Sequence, residues 1–377
     1  MSASSGSGDP PGSPAGPVQM GDRVVATAPV RVADVGGWTD TWFGSPGQVC
    51  SLAVGPGVMV EASVVAAAPQ GGVLPVRIEA PALGEEYWCG PSPDRGWRRP
   101  IPGRHPLIEH AVATVLEDAC LPHDATVEVR ISSQVPAGAS LGTSASVVVT
   151  VLAALDALLA RPRSASDLAA AAHEVETTRA GRESGVADQW AAAFGGCALL
   201  AISPYPTVRR RAIELDPSVE TALAERLVTV AFGPHDSSAV HSEVIDAMVG
   251  CGGPAHDRAR ASLGRLAALA GDAAAALRVG DVDRWAEVLV ESTEAQARLH
   301  PGLVGPTHRA AVDAASAAGA VGWKVNGAGG GGGSLTAVSR PGGAASLRAA
   351  LTGAVPNSQV LVLRPVGGLD VRTATGR

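Results

Sequence analysis

The sequence predicts an α+β protein, built as two layers of sheet and helix. Three observations carry that prediction. Val127, Glu128, Val129, Arg130 and Ile131 alternate apolar and polar residues, the period of a half-buried strand. From Ala255 to Ala318, Ala and Leu recur at helical spacing, with breaks near Gly280 and at Pro301-Gly302, so three successive helices are predicted there. Strands and helices mix along the chain without the regular β-α-β alternation of a doubly wound parallel sheet, and no fixed-period repeat is present.

The elements follow in order. Residues 1–20 are mostly Ser, Gly, Pro and Ala; such a segment buries too little surface to offset its ordering entropy and predicts a disordered tail. It has neither a basic start nor an apolar stretch, unlike a secretory signal. Arg23 to Val32 predicts a strand entering a turn at Gly36-Gly37, and Val58 to Ala66 a second strand. Pro136 to Gly142 is a loop feeding a helix from Thr143 to Ala160. Its apolar run, interrupted by Thr150 and Asp156, is too short to span a bilayer and predicts a buried core helix. Ser164 and Asp167 read as the N-cap and first-turn acid of a helix reaching about Ala180. Leu227 to Phe232, Ser334 to Val338 and Gln359 to Arg364 predict strands, the last two after a Gly-rich stretch, Gly319 to Gly333. A boundary in the Pro- and Arg-rich stretch 202–220 gives an N-terminal domain over 21–205 and a C-terminal domain over 206–377.

Composition excludes several classes. Of 377 residues, 46% are hydrophobic and 17% charged, enough apolar material for a sizeable core and too much for global disorder. The net charge of −7 argues against a generic basic nucleic-acid binder, and 3% aromatic residues leave no extended base-stacking platform. Neither nucleic acid nor membrane is expected as a partner, and the sequence carries no signal of oligomeric state. The 5 cysteines are widely spaced with no C-x-x-C pair, as expected for reduced thiols in the cytoplasm. The basic residues are Arg throughout except for Lys324, and Asn is nearly absent, as GC-rich codon usage would give. Lys324 is therefore either a leftover or a clue.

Four constellations carry chemistry. Pro136-Ala-Gly-Ala-Ser-Leu-Gly-Thr-Ser-Ala-Ser146 lies between a strand and an apolar helix. Small residues permit close backbone approach, and a helix start offers free N–H groups and a positive dipole end, so the segment suits phosphates; the alternative is a capped tight turn. Hydroxyls at Thr143, Ser144 and Ser146 could bond phosphate or ligate magnesium. Second, Gly327 to Gly333 follows Lys324 and Asn326. It contains G-x-G-x-x-G, but no acidic residue lies between Gly333 and Asp370, so a dinucleotide site is rejected; no Gly precedes Lys-Ser or Lys-Thr, so a P-loop is rejected too. A flexible linker is the alternative. Third, Glu174-Val-Glu176 precedes Gly185-Val-Ala-Asp188-Gln189-Trp190. A carboxylate such as Asp188 in an apolar stretch is expensive unless paired or useful, and an N-cap is its structural alternative. Fourth, Ala28-Pro-Val-Arg31 and Gly36-Gly-Trp-Thr-Asp40 place an Arg and an Asp around a Gly-Gly turn, suited to a polyhydroxylated ligand or to a structural ion pair.

Together and in this order these motifs resemble the GHMP kinase superfamily, which includes galactokinase, homoserine kinase and mevalonate kinase. Ala28 to Asp40 looks like its N-terminal motif. Pro136 to Ser146 looks like its P-x-G-x-G-L-G-S-S phosphate motif, with Ser140 for Gly and Thr143 for Ser. Lys324 to Gly333 looks like its C-terminal Gly-rich motif. The resemblance implies an S5-like N-terminal domain and a ferredoxin-like C-terminal domain, with ATP and Mg²⁺ as cofactors. It makes Asp188 the catalytic base and Arg31 its partner, with Ser144 and Glu176 as magnesium ligands. ATP phosphates would lie along Pro136, Gly138, Ala139, Ser140, Leu141, Gly142, Thr143, Ser144 and Ser146. The substrate would meet Gly37, Trp38, Thr39, Asp40, His235 and Lys324, with Gly329, Gly330 and Gly331 closing over it.

Two branches are similar within the superfamily. Gly36-Gly-Trp-Thr-Asp-Thr41 resembles L-fucokinase-type enzymes, whereas Asp188 to Gly196 and Lys324 to Gly332 resemble D-glycero-D-manno-heptose-7-phosphate kinases. Both imply phosphorylation of an anomeric C1 hydroxyl. The expectation is a seven- or eight-carbon sugar phosphate destined for activated-sugar biosynthesis, such as that of an antibiotic. A free sugar is the alternative, and a non-catalytic sugar- and ATP-binding regulator the rival of another class. Arg104, His105, Arg179, Arg182 and His235 are the candidate cations for a distal phosphate.

Overall fold

A computed structural model describes residues 19–66, 75–119, 121, 125–233, 238–250 and 252–374. The expected tail lies almost wholly outside the described residues, and so does His235.

The first part of the chain forms β1 (Arg23–Val35), β2 (Gly47–Ala66), β3 (Val76–Ala80), β4 (Glu85–Ser92), β5 (Gly96–Ile101), α1 (Pro106–Leu116), β6 (Ala125–Ser133), α2 (Thr143–Leu158), α3 (Ala165–Glu174), α4 (Ala187–Phe194), β7 (Cys197–Ile202) and β8 (Val208–Ile213). β2 is longer than its sequence pattern suggested. Its C-terminal half pairs with β6 and its N-terminal half with β7, while β1 lies along most of its length. Gly55-Pro56-Gly57 is the place where this strand changes partners. β3 and β6 are parallel, and β4 and β5 extend the sheet beyond β3. Helices α1 to α4 cover one face of this sheet, with Val60, Ile78 and Val129 packed against Val112, Leu152 and Leu168. Ser164 caps α3 as expected, accepting a hydrogen bond from the Asp167 backbone N–H.

The chain continues through α5 (Pro217–Arg226), β9 (Leu227–Gly233), α6 (Ser238–Val249), α7 (Pro254–Arg278), α8 (Val282–Leu299), α9 (Pro306–Ala317), β10 (Gly322–Val325), β11 (Gly333–Val338), α10 (Ala344–Ala354), β12 (Gln359–Leu361), β13 (Arg364–Pro365) and β14 (Asp370–Ala374). Four strands form an antiparallel sheet in the order β10-β11-β9-β12. Val230 and Leu335 of that sheet pack against Ala311 of α9 and Leu347 of α10. The two sheets share a core: Val32 and Leu52 of the first lie in one cluster with Leu266 and Leu269 of α7 and Trp285 and Leu289 of α8.

This is the α+β fold the sequence predicts. The last strands return to the first sheet, β13 to β2 and β14 to β1, and β8 pairs with β7 beyond residue 205. We therefore propose that the boundary expected at 205/206 lies instead between β8 and α5, with residues 364–374 rejoined to the first unit. Among the described residues, no helix is long and apolar enough to cross a membrane.

Candidate active site

The end of β1, the loop before α2, the α3–α4 segment and the β10–β11 loop converge on a cleft of about 430 Å³. Asp188, in the first turn of α4, stands at its centre. Arg31 holds it with two bonds, Nε to Oδ1 at 2.8 Å and Nη2 to Oδ2 at 3.0 Å. Arg31 Nη1 donates to the Ser140 carbonyl at 2.6 Å and lies 3.3 Å from Asp34 Oδ1. Burial opposes the guanidinium charge, but Asp188 and Asp34 more than offset it and raise its pKa. Arg31 is thus a fixed cation with its donors already committed. Gly142 makes this approach possible. It has a φ of +72°, and a Cβ there would stand 3.1 Å from Asp188 Oδ2.

Asp40 sets the start of α4 from a distance in sequence. Its Oδ2 accepts from the Ala187 N–H at 3.0 Å and its carbonyl from the Val186 N–H at 3.2 Å, so it caps the helix that carries Asp188. Burial pushes its carboxyl up to about 6, opposed by the Ala187 N–H. A Cβ on Gly185 would fall 2.1 Å from Asp40 Oδ2, which is why a glycine precedes this turn.

Glu176 lies in a π-helical turn, Val175–Arg179, that continues α3. Ser184 Oγ and Gln189 Nε2 both donate to its Oε2, at 2.7 Å and 3.1 Å. Its Oε1 is buried without a hydrogen-bond partner, as is Thr143 Oγ1. Burial pushes the carboxyl up to about 7, opposed by Ser184. An orphaned carboxylate oxygen and the Thr143 and Ser144 hydroxyls lining the same cleft are hard-oxygen donors of the kind Mg²⁺ prefers, so the residues present fit that ion. Glu174 is exposed on the same helix and does not line the cleft.

A second cavity of about 410 Å³ adjoins the first. Gly138, Thr143, Ser144, Leu107 and Arg182 line both. Its remaining wall is largely apolar, with Ile108, Val135 and Val147, and carries Arg104 and His105. Arg104 and Arg179 are paired with Glu85 and Glu117 respectively.

The cleft brings together Asp188, Arg31, Glu176, Gly138, Ser140 to Ser144, Gly37, Trp38 and Asp40. Several other expected residues do not line the cleft. Thr39 is buried and bonded to Gly36 and Gln48, shaping the turn. Pro136 closes the turn with Ala139, whose carbonyl accepts from Ser334 Oγ. Ser146 Oγ donates to the Pro29 carbonyl at 2.6 Å, tying α2 to β1 rather than facing phosphate. Gly329, Gly330 and Gly331 do not line the cleft; a Cβ on Gly329 would meet the Leu303 carbonyl, and Gly327 and Ala328 face the cleft in their stead. Lys324 is buried and does not line the cleft, its Nζ donating to Gln296 Oε1 and to the Val325 carbonyl. Sequence reasoning missed Asp34, Glu183 and Ser184, all on the cleft wall, whereas Thr41 belongs to the Gly36 to Thr41 motif and His241 to the stretch from His235 expected to border a sugar. Only Asp34, three residues beyond Arg31, carried a usable signal, as an acid beside the cation in a strand.

The chain is similar to known kinases in sequence over part of its length and in fold over most of it. Residues 106–196, which hold the phosphate-type loop and Asp188, match the GHMP kinases N terminal domain. Over 89 residues the chain is 39% identical to a mevalonate kinase of Pyrococcus abyssi, a stretch that is 24% of this chain and 26% of that protein. A mevalonate kinase of Archaeoglobus fulgidus is 36% identical over 93 residues, 25% of this chain and 31% of that one. The chain therefore spans between a quarter and a third of the length of these curated relatives. Among solved structures, a D-glycero-D-manno-heptose 1-phosphate kinase from Bacteroides thetaiotaomicron superposes with a TM-score of 0.69 at 22% identity, covering 93% of this chain and 98% of that one. Lactococcus lactis galactokinase complexed with galactose gives a TM-score of 0.69 at 18% identity, covering 92% and 95%. Residues 106–196 are thus similar to the GHMP kinases N terminal domain, and the chain has the fold of these solved sugar kinases.

Proposed function

We propose that the chain transfers the γ-phosphoryl group of ATP to the anomeric C1 hydroxyl of a sugar, releasing ADP, and that it acts in the cytoplasm. The observation that carries this reading is the two-bond grip of Arg31 on Asp188 against the Gly142 backbone. It fixes one carboxylate in line with the phosphate-type loop, and phosphoryl transfer asks mainly for positioning and charge. Asp188 accepts the proton of the attacking hydroxyl, and Arg31 keeps that carboxylate oriented. Backbone N–H groups of Gly138 to Ser144 at the start of α2 receive the phosphates, and the second cavity takes the nucleoside. Glu176 and Ser144 would hold Mg²⁺, which when bound neutralises charge on the transferring phosphates. The sequence motifs place a phosphorylated seven- or eight-carbon sugar first and a free sugar second; the charge of the cleft bears on that choice below.

Asp188→Asn keeps the shape and removes the base. ADP release should fall by at least about 100-fold, the lower end of general-base contributions, with ATP binding by calorimetry retained. Turnover near that of the wild type would refute Asp188 as the base.

A further inference from the structure

Beside the phosphate-type loop, the cleft is lined by Gly37, Trp38, Asp40 and Thr41, by residues 183–185 and by His241. This wall is aromatic and acidic. Trp38 is held at a φ of +78°, a backbone conformation rare for a bulky residue and a mark of functional sites when the surroundings impose it. Its ring lies 4.5 Å from the His241 ring, tilted by 51°, and 6.5 Å from Phe43. Trp42 meets Phe43 edge-on at 5.4 Å, and its Nε1 donates to Glu183 Oε2 at 2.8 Å. In a chain with 3% aromatic residues, this cluster within one turn is a concentration of ring surface. Ring faces suit the C–H faces of a sugar, and carboxylates such as Asp40 and Glu183 suit its hydroxyls.

The charge balance is as telling. Asp34, Asp40, Glu176, Glu183 and Asp188 line the cleft, against two guanidiniums, Arg31 and Arg182. Arg31 is committed to Asp188, Asp34 and the Ser140 carbonyl. Arg182 also lines the second cavity, so it stands at the junction where the two spaces meet. Burial holds His241 below the usual imidazole pKa, with Glu183 opposing, so it adds no cation at neutral pH. Among the described residues lining the cleft, a phosphate on the far end of an acceptor would meet the carboxylates of Asp40 and Glu183, with Arg182 at the junction as the cation not already committed to Asp188.

We propose that the acceptor reaches this site as a sugar bearing no phosphate, selected by the ring of Trp38 and by the carboxylates of Asp40 and Glu183. This rests on the sugar-kinase reading above and names its substrate class. Glu183, braced by Trp42, repels an anionic acceptor. Trp38 supplies the surface on which a neutral ring lies.

The test uses the full chain and matched pairs of aldoses and their terminal phosphates: D-mannose with its 6-phosphate, and D-glycero-D-manno-heptose with its 7-phosphate. Turnover is read by coupled ADP release, and binding by calorimetry with a non-hydrolysable ATP analogue and Mg²⁺. The free member should be favoured by at least about tenfold in kcat/KM and in affinity, because opposing like charges is strongly unfavourable. Glu183→Gln, which keeps the shape, should narrow that ratio about threefold by the same argument, and Glu183→Arg should narrow it further. Preference for the phosphate esters in the wild type, or an unchanged ratio in both variants, would overturn the proposal. Binding of free aldoses with exclusion of their phosphates, but no ADP release from any pair, would remove the kinase reading and leave the selectivity standing. ADP release with the phosphorylated member preferred would do the reverse.

Discussion

The ammonium of Lys324 is 3% exposed on β10, and its bonds to Gln296 Oε1 and the Val325 carbonyl anchor the start of the Gly-rich loop. Gln296, from α8, also donates to the Gly327 carbonyl at 2.9 Å. Burial pushes the Lys324 pKa down to about 8, while Asp34 pulls it upward. For Asp34, burial raises the pKa, but Arg31 and Lys324 together leave it below the usual carboxylate range. Asp34 is paired with Arg31 at 3.3 Å, and its charge also attracts the Lys324 ammonium, which is buried across the units. Asp34→Asn should therefore lower the unfolding free energy by about 3–5 kcal/mol in denaturant titration, because it strands a buried charge. A loss below about 1 kcal/mol would show the pair to be dispensable. The pH dependence has a definite sign. The folded pKa, about 8, lies below the ordinary 10.5, so burial of the charge penalises the folded state fully below pH 8. As pH rises from 8 toward 10.5 that penalty is relieved, and the wild type should gain stability relative to Lys324→Met; a flat difference across this window would refute the buried ammonium. Composition drew attention to Lys324; its ammonium reaches a backbone carbonyl, that of Val325, and Gln296 on α8, a partner that no local pattern names.

Among the elements, those with strong periodicity were legible. The three helices expected between Ala255 and Ala318 are α7, α8 and α9, broken at Gly280 and Pro301 as read. The strands β3 to β5 and the helices α1, α5, α6 and α10 were not. β3 to β5 are short strands punctuated by Gly and Pro that take their stability from pairing, which a local window cannot see. The loop entering α2 was legible as a phosphate-type turn, but the sequence did not show that Asp188 and Arg31 crowd its last glycine. Gly142→Ala adds a methyl 3.1 Å from Asp188 Oδ2 and demands a left-handed backbone. We expect kcat for ADP release to fall by at least about tenfold, since small misplacements of a reacting group are costly, alongside about 1 kcal/mol of stability. Gly96→Ala is the comparison: the same backbone region, φ +59°, with no atom within 4 Å of the added methyl. It should lose a similar stability and no turnover. Equal kinetics in the two variants would detach Gly142 from the catalytic geometry.

At the scale of the whole molecule, the cleft exists because two sheets are pinned together along β1. Asn326 does much of that pinning. Its Oδ1 accepts from the Ala33 N–H at 2.9 Å, and its Nδ2 donates to Ser334 Oγ at 2.9 Å and Thr336 Oγ1 at 3.0 Å. Ser334 Oγ in turn donates to the Ala139 carbonyl at 2.6 Å, inside the phosphate-type loop. One side chain thus joins the strand that carries Arg31, the second sheet and the loop before α2. The sequence placed Asn326 beside the Gly-rich motif without a role, because its partners become neighbours only when both units are folded. The resemblance that named the superfamily worked at this scale for the same reason in reverse: its motifs are far apart in sequence, and their order reports one cleft. Asn326→Ala would leave the Ala33 N–H without its acceptor and remove one donor from each of the Ser334 and Thr336 hydroxyls, which keep Ala139 and Thr229. The expected loss is about 3 kcal/mol, summed from individually modest bonds and the desolvation of what remains. Since Asn326 touches neither Asp188 nor the nucleotide side of the cleft, the kinetic consequence should fall on the fit between the halves. KM for the acceptor should rise several-fold, because Trp38 and Gly327 approach the cleft from opposite sheets, while kcat at saturating acceptor changes less. A stability loss with an unaltered acceptor KM would mean that the two units hold their relative position through the shared core of Leu52, Leu266 and Trp285, and that Asn326 satisfies buried polar groups without setting the cleft.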